Sequence, residues 1–377
     1  MVLPQPSRFS FRIIDFLFGR CPIRDPCFLY LSAMNVSIAD FLTLREQLPV
    51  VDVRSEGEFQ EGHIRKAINI PLLNNAERIA VGTDYKQKGK AEAIKTGFRL
   101  VGPRIIDIIE EALRVAVNHE MVVHCWRGGM RSANFASFVE MAGIKTHVLQ
   151  GGYKSYRHKA IESFSLPFQF IVIGGCTGSG KTEILTHLQS AGEQVINLER
   201  LANHRGSAFG GLMQPAQPTT EQFQNNLFEE ILKLDVNKRI WIEDESIAIG
   251  KLFLPDLFWK RMGSSPVIEI ELNKEARIRR LVNEYGSSDK NEFLAAMEKI
   301  TKRLGGQHFK AAKEKLEEGD MHEVIDILLT YYDKTYQRGL ERKKNRIVNR
   351  ITWDGVNSES IVAEILRPYR NIEHIGK

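Results

Sequence analysis

Cysteine is scarce in this chain: 377 residues hold four, Cys21, Cys27, Cys125 and Cys176. They are too few and too scattered for a disulfide framework or a zinc cluster. The pattern suits a reducing, cytoplasmic setting, and no metal centre is expected from it. Long apolar runs are missing as well: no stretch approaches the ~18 uninterrupted apolar residues that a membrane-spanning helix needs. The apolar patch near the N-terminus (Ile13, Ile14, Phe16, Leu17, Phe18) is broken by Asp15, with Gly19 following it, so it makes no signal-peptide core. Internal repeats are also lacking. Hydrophobic residues at 43% and charged residues at 26% are ordinary globular values, which argues against disorder. At roughly 100–200 residues per domain, two or three domains are expected.

The net charge of +5 implies no partner by itself, but its distribution says more. Lys274 to Arg350 carries 18 basic and 13 acidic residues, so the whole excess falls in that segment. Its densest part is Arg338, Arg342, Lys343, Lys344, Arg346 and Arg350. On a helix that spacing makes a cationic stripe suited to phosphate backbones. A solvated helix face accounts for the charge equally well.

The order of elements predicts an α/β protein. From Asn35 to about Tyr156, short β-rich runs (Val50–Val53, Ala67–Ile70, Met121–Cys125, His147–Leu149) alternate with helical stretches, as in a parallel sheet. A second α/β unit begins with the strand Phe168–Ile173, and the last hundred residues read as mostly helical. The expected organisation is a poorly ordered extension over residues 1–34, unless translation begins near Met34. A sheet domain over 35–156, a linker over 157–167 and a second domain over 168–377 with a basic helical C-terminal part follow.

Two loops carry chemistry. His124-Cys125-Trp126-Arg127-Gly128-Gly129-Met130-Arg131-Ser132 places a thiol between a buried strand and a helix N-terminus. Loop amides and the helix dipole favour the thiolate, Arg127 and Arg131 add positive charge, and Gly128 and Gly129 let the backbone curl around an anion. A buried structural cysteine is the alternative. The second loop, Gly175-Cys176-Thr177-Gly178-Ser179-Gly180-Lys181-Thr182, matches G-x-x-x-x-G-K-[ST] directly after an apolar strand. Its amides, with Gly175, Gly178, Ser179 and Gly180, wrap phosphates; Lys181 neutralises the terminal charge, and the Thr182 hydroxyl can hold a magnesium ion. A further strand, Ile240–Ile242, ends in Glu243-Asp244-Glu245-Ser246, where Asp244, then Glu243, is the candidate carboxylate near that metal. Leu201–Gly210 offers a basic loop that could close over a phosphorylated ligand, or an ordinary surface loop.

The first half resembles the rhodanese domains. The resemblance rests on Asp52-Val53-Arg54-Ser55-Glu56-Gly57-Glu58-Phe59, Gly62-His63-Ile64, Ala67-Ile68-Asn69-Ile70-Pro71 and Val148-Leu149-Gln150-Gly151-Gly152-Tyr153. It implies that Cys125 carries a persulfide or perselenide and that Asp52 and Arg54 buttress the fold. One departure is the Cys-x5-Arg spacing of Cys125 and Arg131, one residue longer than in most sulfur-carrying rhodaneses and shared with the cysteine-dependent phosphatases. A wider loop suits a tetrahedral group, which puts simple thiosulfate chemistry in doubt and would fit a selenophosphate donor.

Joined in this order, the two halves resemble the tRNA 2-selenouridine synthases. The matching pieces are Ala80-Val81-Gly82-Thr83 with Tyr85-Lys86-Gln87, the two loops, His204–Gly210, Glu243–Ser246, Arg303-Leu304-Gly305 and Tyr331-Tyr332-Asp333. The resemblance implies a transferase that replaces sulfur by selenium in wobble 2-thiouridine of tRNA. Selenophosphate is the implied donor, supplied by an upstream enzyme, and geranyl diphosphate makes an S-geranyl intermediate. No further cofactor is firmly implied. The P-loop would take the geranyl diphosphate, a nucleotide or a tRNA phosphate, and Arg338, Arg342, Lys343, Lys344 and Arg346 would grip tRNA. A cysteine-dependent phosphatase, a kinase or ATPase with a regulatory rhodanese module, and a non-catalytic tRNA-binding protein are the competing classes.

Overall fold

The computed structural model describes residues 33–369. The expected extension, with Cys21 and Cys27, lies outside the described residues except for its last two positions, of which Met34 opens the first strand. The chain divides into two compact units, one from residues up to Val53 with Ile70–Gln150, the other from Arg54–Asn69 with everything after Gly151.

The first unit runs β1 (Met34–Val36), α1 (Ile38–Leu44) and β2 (Val50–Asp52), and after the excursion of α2 (Glu56–Glu61) and β3 (Ile68–Asn69) it resumes. There follow α3 (Asn75–Gln87), α4 (Lys90–Val101), α5 (Ile105–Val115), β4 (Glu120–His124), α6 (Met130–Met141) and β5 (Lys145–Leu149). Its strands lie in the order β1-β5-β4-β2, all parallel, with Val50 opposite Val122 and Val122 opposite His147. The central strands carry apolar middles because both faces are covered: Val51, Met121, Val122, Val123 and Leu149 are fully buried. The last turn of α6 stops where expected, at Gly143, whose φ of 83° suits glycine.

After Gly151 the second unit continues with α7 (Gly152–Ser163), so the segment expected as a linker is helical for most of its length. Then come β6 (Gln169–Gly175), α8 (Lys181–Ser190), β7 (Gln194–Ile196), α9 (Leu198–Ala202), α10 (Thr220–Ile231), β8 (Arg239–Glu243), α11 (Asp256–Ser264) and β9 (Val267–Leu272). The rest is α12 (Lys274–Tyr285), α13 (Lys290–Glu298), α14 (Thr301–Leu304), α15 (Gly306–Glu318), α16 (Met321–Lys343), β10 (Ile347–Trp353) and α17 (Ser358–Leu366). The sheet order is β10-β9-β6-β8-β7, again parallel throughout. Ile171, Ile173, Trp241, Ile268 and Ile270 pack there against Ile184, Leu185 and Leu188 of α8 and Ile361 and Ile365 of α17. A separate helical core joins Phe293 and Met297 of α13 to Leu328 and Leu329 of α16.

The C-terminal stretch read as mostly helical thus contributes an edge strand, β10, to this sheet. That strand also corrects the cationic stripe: the long helix ends at Lys343, so Arg346 and Arg350 do not continue its face.

Candidate active site

In the first unit, β4 delivers Cys125 to the mouth of the loop and α6 begins five residues later. Gly128 takes a φ of 64°, which turns the chain back over the sulfur. The Gly129 N–H donates to Cys125 Sγ at 3.3 Å, and Ser132 Oγ lies 3.2 Å from the same sulfur and 3.1 Å from the Gly129 carbonyl, so its single proton goes to the sulfur once the thiol ionises. Burial pushes the Cys125 thiol up. The Ser132 hydroxyl and the amides of Ser132, Arg127 and Gly129 together outweigh it, leaving the thiol below its usual value. The site therefore stabilises a thiolate through short-range hydrogen bonds rather than through an adjacent base. Arg127 is exposed and Arg131 half-buried at the loop rim. Behind the loop, fully buried His124 sits 3.8 Å from Asp52, which agrees with a buttressing role for that aspartate. Ser132 is the contributor that sequence reasoning did not single out; its signal is its place directly after Arg131, one turn into the helix.

In the second unit, β6 and α8 flank the phosphate loop. Gly180 has a φ of 84°, and a Cβ there would fall 2.3 Å from the Trp353 ring, so no other residue fits. Gly178 is likewise left-handed at 80°. Lys181 Nζ donates to the Gly175 carbonyl at 3.0 Å, which folds the ammonium over the loop. Ser179 is buried, and its hydroxyl has no hydrogen-bond partner among the described residues. Arg277 of α12 braces the loop from outside: Nη1 donates to the Thr177 carbonyl at 3.3 Å, and both terminal nitrogens meet Asp333 at 2.7 Å. Cys176 is half-buried, and burial raises its thiol above the usual value.

The carboxylates at the end of β8 divide their work. Thr182 Oγ1 donates to Glu199 at 2.8 Å, and the Glu199 N–H donates to Glu243 Oε1 at 2.7 Å, so Glu243 joins the P-loop threonine through Glu199. Asp244 instead forms an ion pair with Lys343 from the end of α16. Burial and then the charge of Glu199 push Glu243 up to about 8. Burial and Glu199 also raise Glu245 well above the carboxylate range, against the pull of Lys181. Glu243 Oε2 is buried with no hydrogen-bond partner among the described residues. Glu199 carries no motif and was missed; only the fold brings it to Thr182. The His204–Gly210 loop is pinned, not open. A Cβ on Gly206 would strike the Glu245 carboxylate at 2.5 Å, Arg205 pairs with Glu284 at 2.7 Å, and Phe209 is buried in the helical core.

Of the basic C-terminal residues, Lys343 holds Asp244, Arg346 Nη1 donates to the carbonyls of Met262 and Ser265 at 3.1 and 3.0 Å, and Arg350 pairs with Glu269 at 2.9 Å. Arg338, Arg342 and Lys344 are exposed.

A thiolate-holding loop after a parallel strand, followed in the same chain by a P-loop sheet, defines the class: a rhodanese-like domain joined to a P-loop domain of AAA type. Residues 37–159 match the rhodanese-like domain, and residues 168–363 match the tRNA 2-selenouridine synthase AAA domain. The chain belongs to the tRNA 2-selenouridine synthase family, enzymes of tRNA modification. Among solved structures it is similar to the N-terminal domain of a protein from Clostridium difficile 630 described as ATP/GTP-binding. The identity is 43% over 33% of this chain and 96% of that one, with a TM-score of 0.32. A rhodanese-related protein from Thermoplasma volcanium is 20% identical over 33% of this chain and 92% of its own length, with a TM-score of 0.22. No helix among the described residues is long and apolar enough to cross a membrane.

Proposed function

We propose that this enzyme replaces sulfur by selenium in wobble 2-thiouridine of tRNA, with selenophosphate as donor and an S-geranyl intermediate made from geranyl diphosphate. The observation that carries the reading is Cys125 hydrogen-bonded within its own Cys-x5-Arg loop, by the Gly129 amide and beside the Ser132 hydroxyl. Geranylation converts the 2-thio group into a thioether that departs as geranylthiol. Attack of the Cys125 thiolate on the phosphorus of selenophosphate forms an S–P bond and breaks the P–Se bond. Selenium leaves as hydrogen selenide, and water later returns the phosphoryl group as phosphate. The selenide then adds at C2 of the uridine and expels geranylthiol, with no change of oxidation state. Taking selenium onto the sulfur as a perselenide would oxidise it and require an electron acceptor.

The P-loop is assigned to the diphosphate of the geranyl donor, with Lys181 and the loop amides on its oxygens. A magnesium ion beside it would be held by the Thr182 hydroxyl with Glu243, since Asp244 is engaged by Lys343, and would neutralise the diphosphate as it leaves; the unpartnered Glu243 oxygen supports that reading. tRNA is the macromolecular substrate, and a selenophosphate-producing enzyme acts upstream.

The test is incubation of the protein with 2-thiouridine tRNA, geranyl diphosphate and selenophosphate, followed by nucleoside mass spectrometry. Geranylated, then selenated, uridine is expected. Cys125→Ala should stop selenation and spare geranylation, while Lys181→Ala should stop geranylation and spare selenation of pre-geranylated tRNA. Unchanged thiouridine with folded protein would overturn the reading.

A further inference from the structure

The α3–α4 hairpin of the first unit is at odds with ordinary globular packing. α3 is 13 residues long and buries no side chain, although it is well capped by Asn74 and Glu77 and joined to α4 by Asp84 and Thr96 at 2.7 Å. Ile79, Tyr85 and Phe98 are 62%, 60% and 55% exposed. A helix this length draws most of its stability from a packed face, so large apolar side chains left in water on it ask for a partner.

The arrangement of those side chains says which kind. At about 100° per residue, Tyr85, Gly82, Lys86 and Ile79 occupy one continuous face about 120° wide. On α4 the same turn of helix exposes Phe98 beside Lys95 and Arg99. Asn75 to Arg104 carries seven basic and three acidic residues, a local charge of +4. Aromatic rings interleaved with cations suit a polyanion that also presents flat apolar faces, which is single-stranded nucleic acid. A protein partner would need an acidic surface and apolar knobs together. Gly82 stands in the middle of this face with nothing within 4 Å of its Cβ position. A mid-helix glycine weakens a helix and earns its place where another backbone comes close.

We propose that this hairpin is an RNA-docking surface, with unstacked bases of the substrate tRNA against Ile79, Tyr85 and Phe98 and phosphates against Lys86, Lys90 and Arg99. The inference rests on the reading that tRNA is the substrate. It adds a recognition surface close in sequence to the cysteine loop, apart from the C-terminal basic residues.

The test measures the affinity of the full chain for 2-thiouridine tRNA by fluorescence anisotropy at fixed salt. The double variant Tyr85→Ala/Phe98→Ala should bind about tenfold or more weakly with an unchanged dependence on salt, because no charge is removed. Gly82→Gln should also weaken binding while the thermal midpoint holds or rises, since glutamine favours helix and has room there. Leu257→Ala, an exposed apolar residue of α11, should change nothing. Wild-type affinity in both hairpin variants would overturn the proposal and leave the substrate reading intact. Loss of self-association in the double variant with tRNA affinity preserved would overturn it too, assigning the surface to a second copy. A wild-type protein with no affinity for tRNA would bring down the substrate reading itself.

Discussion

Cys125 is a buried thiol whose ionisation is governed by hydrogen bonds from its own loop. The sign is simple: a pKa held below the ordinary value makes the thiolate available at lower pH than in an unstructured cysteine, whose pKa is about 8.5. Alkylation of Cys125 by iodoacetamide, followed by peptide mass spectrometry, should therefore show its inflection below that value. Ser132→Ala removes the hydroxyl but keeps the amides and the helix start. It should move the inflection upward and slow alkylation at neutral pH several-fold, with little loss of stability. An unchanged profile would mean that the amides alone set the ionisation. On the proposed chemistry the same loop would hold the thiolate ready for phosphorus, and Ser132 would stabilise the sulfur again as the phosphoryl group departs.

Elements decide whether such residues meet, and here the sequence was legible in some places and silent in others. Both reactive loops were readable, because a strand-loop-helix turn needs glycines and a nucleophile or lysine at fixed spacing. The strands around Val50, Met121, His147 and Phe168 were readable as short β-rich runs. β1 and β7, three residues each, are too short to show a period, and β10 was hidden by the arginines that flank and interrupt it. Glu199 and Arg277 escaped for a different reason, since their partners lie 17 to 100 residues away in sequence. Arg277 shows what such a brace contributes. Its guanidinium is buried and ties α12 to the phosphate loop and, through Asp333, to α16. Arg277→Met should cost about 3 kcal/mol in chemical denaturation, because it strands a partly buried carboxylate. Arg277→Lys should recover little of it, since an ammonium cannot make the two-point contact. Full rescue by lysine would show that charge, not the fork, matters.

At the scale of the whole molecule, positive charge is divided between side chains that hold the protein together and side chains left facing solvent. The net excess of +5 falls between Lys274 and Arg350, yet Lys343, Arg346 and Arg350 are committed to Asp244, to backbone carbonyls and to Glu269. Arg338, Arg342 and Lys344 face solvent. A phosphate contact releases counterions and steepens the fall of affinity with salt by about 0.7–0.9 in the logarithmic slope. Replacing Arg338, Arg342 and Lys344 together by glutamine should therefore flatten that slope by about 2 if they contact tRNA, with the melting temperature unchanged. Arg346→Gln should do the reverse, lowering the melting temperature through its lost bonds to Met262 and Ser265 and leaving the slope alone. A flatter slope in Arg346→Gln would mean that this arginine exchanges its internal carbonyls for RNA phosphates on binding, and that the edge strand β10 rearranges when tRNA arrives.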